Sequence, residues 1–274
     1  MSIIIISSED VREGDLVAQK IADAAGHKLL NRSILKEVAE KHHLSDTKII
    51  AALDKPVTTF SMPMKVRKQC LAYIREAVLG ELVKDNVVCH GLAAHLYVLG
   101  ISHVLRARVL SDSGQRAGRL AAAESISVEK AVKKLNRQKK QRSQWSSELF
   151  RIDETDPGSY DLMINLSKIG TDEAVEIIIQ MVASRRFTPM TYSIKCLQDL
   201  ELAARIRSNL VERFPNIRVR ADGGNVIVET LGLKREKRKK EAVIKEKVLK
   251  IPGVDYLEIH FINDFFRQAA ESFR

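Results

Sequence analysis

An anion needs hydrogen-bond donors and positive charge gathered in one place, and three stretches of this chain offer them. Ser7 to Val17 (SSEDVREGDLV) joins an apolar run to a helical pattern, and backbone N–H groups at a helix start favour an anion. A Walker-type phosphate loop also uses glycines to turn and a lysine to reach the phosphates. This segment supplies only Gly14 and no lysine. The other two stretches are charge runs, nine basic and two acidic residues from Arg116 to Arg142, and nine and three from Lys234 to Lys250. Each is a candidate contact for nucleotide phosphate, nucleic acid or a lipid headgroup, and each reads equally well as a solvated helix face.

Other reactive residue types are poorly arranged for chemistry. His42, His43, His90, His95 and His103 include no pair at HExxH spacing, and Cys70, Cys89 and Cys196 form no CxxC pair. No metal site is expected from them. The cysteines, odd in number and widely spaced, read as reduced thiols. No GxSxG elbow marks a serine nucleophile, which argues against a hydrolase. Trp145 and Phe150 follow the first basic run and suit core packing better than stacking on a base.

The elements that must position these residues alternate between strand and helix. Ser2 to Ser7, with four consecutive isoleucines, reads as a buried strand. Ser8 to Glu13 reads as a loop, and Leu16, Val17, Ile21 and Ala24 then mark a helix that stops at Gly26. Strands are predicted at Lys28 to Leu30, Asn86 to Cys89, His103 to Leu110 and Tyr160 to Asn165, and a long helix from Met64 to Lys84. Basic helices fill 112 to 150, and a further helix starts at Thr171. This alternation predicts a mainly parallel α/β sheet. After Phe187 the pattern becomes αββαβ around an Asp222-Gly223-Gly224 hairpin turn.

The 274 residues carry 45 Lys+Arg against 35 Asp+Glu, a net charge of +10. The two basic runs supply more than all of it, because the rest of the chain sums to −3. With 45% hydrophobic residues, the composition excludes a disordered tail, a collagen and a disulfide-knotted peptide. His90, His95, His103, Gly91 and Gly100 interrupt the most apolar window, Val87 to Leu105, which disfavours a membrane span. Met1 and the short Ile3 to Ile6 run lack the form of a signal peptide, so a cytoplasmic location is expected.

The order and spacing of the first two-thirds resemble the cytidylate kinase-like family, relatives of the nucleoside monophosphate kinases, over residues 3 to about 186. Ile6-Ser7-Ser8-Glu9 stands where that family has an ISRE-type segment, and Val11-Arg12-Glu13-Gly14 where it has a glycine-rich GSGG loop. Leu29-Leu30-Asn31-Arg32 matches its aromatic-Asp-Arg step, and Val87 to Gly91 its Gly-Arg strand end. Lys140-Gln141-Arg142, within Ser127 to Trp145, resembles the "DKxR" helix of its lid. Tyr160-Asp161-Leu162 and Asn165 resemble its closing YDLxxN strand. The resemblance implies a P-loop NTPase-like parallel sheet with helices on both faces, with ATP and Mg²⁺ as cofactors. It implies catalytic roles for Arg116, Arg119 and Arg142. Nucleotide contacts would come from Ser8, Arg12, Glu13, Gly14, Asp15, Asn31, Arg32 and Lys139, with Lys140 assisting.

The departures from the family pattern bear on activity. Val11 replaces a glycine and resists positive φ, and Glu13 puts a carboxylate where phosphate would lie. Asn31 and Lys139 replace expected aspartates, and His90 or Leu92 stands where a substrate-contacting arginine is expected. Such an arginine is worth about 10³ to 10⁵ in rate. The expectation is therefore a nucleotide-binding protein with eroded catalysis, regulatory or sensory. The alternatives are an active CMP-type kinase, and binding of an anionic membrane surface or nucleic acid through the basic runs.

The C-terminal part resembles a BON domain from about Asp199 to Ile262. The residues carrying this are Leu202 to Leu210, the hairpin at 221–226, Leu231-Gly232 and Pro252-Gly253-Val254. That resemblance implies a binding module for a partner protein or an anionic surface. The expected organisation is a kinase-like domain at 1–187, a linker at 188–198 and a small BON-like domain at 199–274.

Overall fold

Ile3 to Ile6 are β-branched and fully buried, as a strand covered on both faces requires. In a computed structural model describing residues 2–57, 61–231 and 236–262, they form β1 (Ile3–Ser8), the middle of a five-stranded sheet. There follow α1 (Val11–Ala25), β2 (Lys28–Leu30), α2 (Ile34–Lys41), α3 (Asp46–Asp54) and α4 (Met64–Leu82). Next come β3 (Val87–His90), α5 (Ala94–Tyr97), β4 (Val104–Leu110), α6 (Ser113–Glu124), α7 (Val128–Phe150), β5 (Leu162–Asn165) and α8 (Thr171–Val182). The strand order is β2-β3-β1-β4-β5, and every neighbouring pair is parallel.

The parallel sheet with helices on both faces agrees with the sequence expectation. Val17 and Ile21 of α1 and Ile178 of α8 cover one face; Leu35, Val38, Ile74, Leu79 and Trp145 belong to the core on the other. From β1 the chain first visits one side of the sheet and then crosses to the other. The carboxyl ends of β1, β3 and β4 therefore border a switch point, where open α/β sheets bind their ligands.

The start of α1 differs from the expectation, and the difference matters for the site. Of the loop expected at 8–13 only Glu9 and Asp10 lie between strand and helix, because Asp10 caps a helix that begins at Val11, accepting hydrogen bonds from the N–H groups of Arg12 and Glu13. Aspartate is among the best residues for that position. The apolar pattern marked only the later turns, since Val11 faces solvent and Arg12 and Glu13 are charged. Val11 to Gly14 are the first turn of a helix, and Gly14 has no turning role. At the other end Gly26 does turn the chain, at φ 64°.

The C-terminal elements are α9 (Thr191–Val211), β6 (Arg218–Asp222), β7 (Asn225–Leu231), α10 (Lys237–Val248) and β8 (Tyr256–Ile262). This is the αββαβ order read from the sequence. β6 and β7 pair antiparallel, β7 and β8 parallel, and Gly223 (φ 52°) and Gly224 (φ 87°) make the hairpin turn. Residues 191–198, expected as part of a linker, are the first turns of α9. Leu197, Ala204 and Val211 of α9 belong to the core it shares with α4, whereas Leu202, Ile206 and Leu210 belong to the core of the small sheet. Gly232 and Lys234, named in the sequence expectations, lie outside the described residues. Among the described residues no helix is long and apolar enough to cross a membrane.

Candidate functional site

A cavity of about 490 Å³ opens at the carboxyl ends of β1, β3 and β4, closed on one side by α7 and by the chain after α3. Ser8, Arg32, His90, Arg108, Arg116 and Arg142 are among the side chains that line it. The fold thus gathers residues from Ser7 to Thr155 around one opening, at the place where the switch point predicts a ligand.

At the α1 end Glu9, Arg116 and Lys139 line the cavity while Arg119, Asp10 and Glu13 are outside its lining, and the cations there are already matched. Arg119 donates to Asp10 Oδ2 at 2.8 Å and to Glu13 Oε1 at 2.7 Å. Arg116 donates to the Glu9 carbonyl at 2.6 Å and stands 3.5 Å from the Glu9 carboxylate. Lys139 reaches that carboxylate from α7 at 3.7 Å. Burial alone would raise the Asp10 carboxyl, but the hydrogen bonds from Arg119 and from the Glu13 and Arg12 N–H groups outweigh it and hold the pKa below the usual carboxylate value. Arg119 is raised in turn by its bonds to Asp10 and Glu13.

An ATP triphosphate with Mg²⁺, implied by the family resemblance, does not fit this end. The backbone donors at the start of α1 hold the Asp10 carboxylate, the segment has no lysine, and the acidic groups that could meet Mg²⁺ are bound to arginines. A phosphate arriving here would face Glu9, Asp10 and Glu13 before any free donor.

The β4 end is different. The buried Arg108 guanidinium uses Nη1 for both the Ser7 and Tyr160 hydroxyls, each at 3.1 Å. No carboxylate pairs with it among the described residues, and its Nε and Nη2 make no hydrogen bond there. Arg142 donates from Nε to Glu154 Oε1 at 2.7 Å and from Nη1 to the Leu53 carbonyl at 3.2 Å. Its guanidinium lies 4.0 Å from the centre of the Trp145 ring. His95 is buried, and neither ring nitrogen has a hydrogen-bond partner; the same holds for Glu154 Oε2, 3.7 Å from His95 Nε2. Burial, followed by the charges of Arg142, Arg108 and Arg106, pushes the His95 pKa down to about 3. The ring is neutral at ordinary pH.

Sequence reasoning missed Arg108, His95 and Glu154. A signal for Arg108 did exist. In Val104 to Leu110 (VLRARVL), two arginines alternate with apolar residues at the period of a strand. Buried on a central strand, the second must point at something polar. His95 and Glu154 carry no such local pattern.

The other expected contacts are divided. Arg32 lines the cavity and binds Asp54 through both nitrogens, at 2.7 and 2.6 Å. Asn31 instead accepts from the Ser33 N–H at 3.1 Å and shapes the turn before α2. Arg12 is exposed and makes no ion pair among the described residues. Ser8, Gly14 and Asp15 cluster at His90. Ser8 Oγ is 2.8 Å from His90 Nε2, and Asp15 Oδ1 is 2.6 Å from His90 Nδ1. A Cβ on Gly14 would stand 2.3 Å from both Ser8 Oγ and His90 Nε2, so only glycine lets α1 approach the strands this closely. Trp145 is buried and donates to the Ala52 carbonyl, a core role. On and beside α10 the lysines at 240, 245 and 250 pair with Glu236, Glu241 and Glu246, which lowers the free charge of that run. Among the described residues no cluster of three or more His, Cys, Asp or Glu side chains is placed to hold a metal ion.

Comparison with known proteins finds one matching family and several distant solved structures. Residues 3–168 match the model of the cytidylate kinase-like family. No curated protein matches the chain. Among solved structures, an uncharacterized protein from Eubacterium ventriosum ATCC 27560 is 22% identical, with a TM-score of 0.49 over 68% of this chain and 100% of its own. Shikimate kinase from Acinetobacter baumannii, solved with shikimate, is 16% identical, with a TM-score of 0.38 over 69% and 97%. TT1252 from Thermus thermophilus is 15% identical, with a TM-score of 0.39 over 67% and 99%. Likeness at this level carries no argument about ligand or activity.

Proposed function

The chain belongs to the cytidylate kinase-like family, and from that premise we propose that its first domain binds a small phosphorylated anion of the nucleoside monophosphate class without transferring phosphate from ATP. One observation carries this reading: the N-terminus of α1, where a triphosphate would be held, is occupied by the protein's own Asp10 carboxylate and flanked by Glu9 and Glu13, which neutralise Arg116 and Arg119. Phosphoryl transfer relies on positioning and on cations free to follow the transferring group. The monophosphate would instead meet Arg108 and Arg142, with Arg32 at the mouth of the cavity.

The role is regulatory or sensory, and the αββαβ module, BON-like in its element order, engages the partner. Because α9 contributes to both hydrophobic cores, a change at the cavity has a packed route to that module through α4. The test is a coupled kinase assay with MgATP and each common nucleoside monophosphate, run beside calorimetric titration with CMP. Measurable CMP binding with no nucleoside diphosphate formed is the expected result. Robust turnover would reinstate an active kinase.

A further inference from the structure

Ser8, His90 and Asp15 come from three separate elements, the end of β1, the end of β3 and the first turns of α1, yet they form one hydrogen-bonded line. A carboxylate can only accept, so the Asp15 contact at 2.6 Å places the imidazole proton on Nδ1. Nε2 is then free to accept from the Ser8 hydroxyl at 2.8 Å. His90 is buried, Ser8 is half-buried, and both line the cavity. Directly after His90 the chain runs through Gly91, Leu92 and Ala93, at φ 70°, 57° and 58°. Three left-handed residues in succession are costly for Leu and Ala, and such backbone gathers at functional sites. Leu92 and Ala93 also line the cavity, and their N–H groups have no acceptor among the described residues.

We propose that Ser8, His90 and Asp15 are a nucleophile, a general base and the carboxylate that orients it, and that the protein hydrolyses esters of small anionic acids in this cavity. The preference for an anionic acid rests on the reading of Arg108 given above; the nucleophile does not. Ser8 Oγ attacks the ester carbonyl as His90 Nε2 takes its proton, forming an Oγ–C bond. The developing oxyanion meets the Leu92 and Ala93 N–H groups. The C–O bond to the alcohol then breaks, and the alkoxide leaves with the proton from His90. Water repeats the sequence on the acyl-serine: His90 takes a proton from the water, the Oγ–C bond breaks, and Ser8 regains its hydrogen. One ester and one water become one acid and one alcohol. Asp15 touches no reacting atom and is a positioning residue.

The charged groups facing His90 are Asp15 from α1 and Arg32 from the turn after β2. Burial lowers the His90 pKa, Asp15 works against that, and Arg32 adds to it. The base is therefore unprotonated at neutral pH.

The test is labelling of the full chain with a dialkyl fluorophosphate, which transfers its phosphoryl group to an activated serine and releases fluoride, read by peptide mass spectrometry. A single adduct on Ser8 is expected, absent from Ser8→Ala and at least about 100-fold slower in His90→Gln. Asp15 is half-exposed, so Asp15→Asn should keep the wild-type melting temperature yet label several-fold more slowly, with a displaced pH profile. No adduct on Ser8 in the folded protein, or labelling of Asp15→Asn at the wild-type rate and pH profile, overturns the relay. Hydrolysis of 4-nitrophenyl acetate and of the anionic mono-4-nitrophenyl succinate separates the two parts. Faster succinate cleavage that Arg108→Met abolishes supports the anionic preference. Equal rates on both esters with Ser8 still labelled overturn that preference and leave the relay standing.

Discussion

The two ends of the cavity hold similar arginines in opposite circumstances. At the α1 end Arg116 and Arg119 face Glu9, Asp10 and Glu13, and the second Glu13 oxygen is buried without a donor among the described residues. At the β4 end Arg108 hydrogen-bonds only to hydroxyls among the described residues and lies 5.4 Å from the centre of the Tyr160 ring, while both nitrogens of His95 and one oxygen of Glu154 have no hydrogen-bond partner there. A buried polar group without a partner costs about 1–3 kcal/mol. The difference teaches where a ligand gains most. An anion at the α1 end must displace carboxylates that already satisfy the donors; one at the β4 end takes up Arg108 nitrogens that make no hydrogen bond among the described residues, beside an Arg142 shared with Glu154.

Arg108→Met should break this contrast most severely. It removes the buried cation without a carboxylate partner, and CMP affinity should fall about 10- to 150-fold by calorimetry, the equivalent of one charge-assisted bond. Unchanged affinity would mean that the two ends do not differ in function. A smaller and opposite effect is expected from Asp10→Asn combined with Glu13→Gln, which keeps a capping side chain but removes two negative charges beside Arg119. ATP should bind this variant about 3- to 30-fold more tightly than the wild type, since each of the two charges near a helix start is worth about 0.3–1 kcal/mol. If ATP affinity stays put, the carboxylates are not what closes the α1 end.

The smallest effect concerns pH. Asp10 has a depressed pKa in the fold, so its stabilisation is fully present above the unfolded value of about 3.9 and is lost as pH falls through the lower folded value. The difference in melting temperature between wild type and Asp10→Asn should thus be constant near neutral pH and shrink below about pH 4. A difference that persisted through the acid range would show that the contribution is not the charge of Asp10.

Much of the sheet was legible because its signals are local. Four isoleucines in a row, Gly26 past a helical pattern and the two glycines of the hairpin each fix their own neighbourhood. The start of α1 was not legible from periodicity, because its first turn is polar and solvent-facing; Asp10 as a cap was the available cue. Arg116, Arg142 and Arg32 could be placed near one another through the order of family-like motifs. The Ser8, His90 and Asp15 line could not, since it depends on β1 and β3 being neighbours and on Gly14 allowing α1 to approach. The missing GxSxG elbow, which argues against a hydrolase built on that motif, does not bear on a serine oriented by distant elements. His95 and Glu154 were hidden for the same reason, as their lack of partners exists only once the chain around them is packed.

The central claim is that this kinase-like cavity is open to a monophosphate at β4 and closed to a triphosphate at α1. Calorimetric titration of the wild-type chain with CMP and, separately, with MgATP tests it most directly. The account predicts saturable CMP binding and MgATP binding no tighter than that of CMP. MgATP binding clearly tighter than CMP would contradict it.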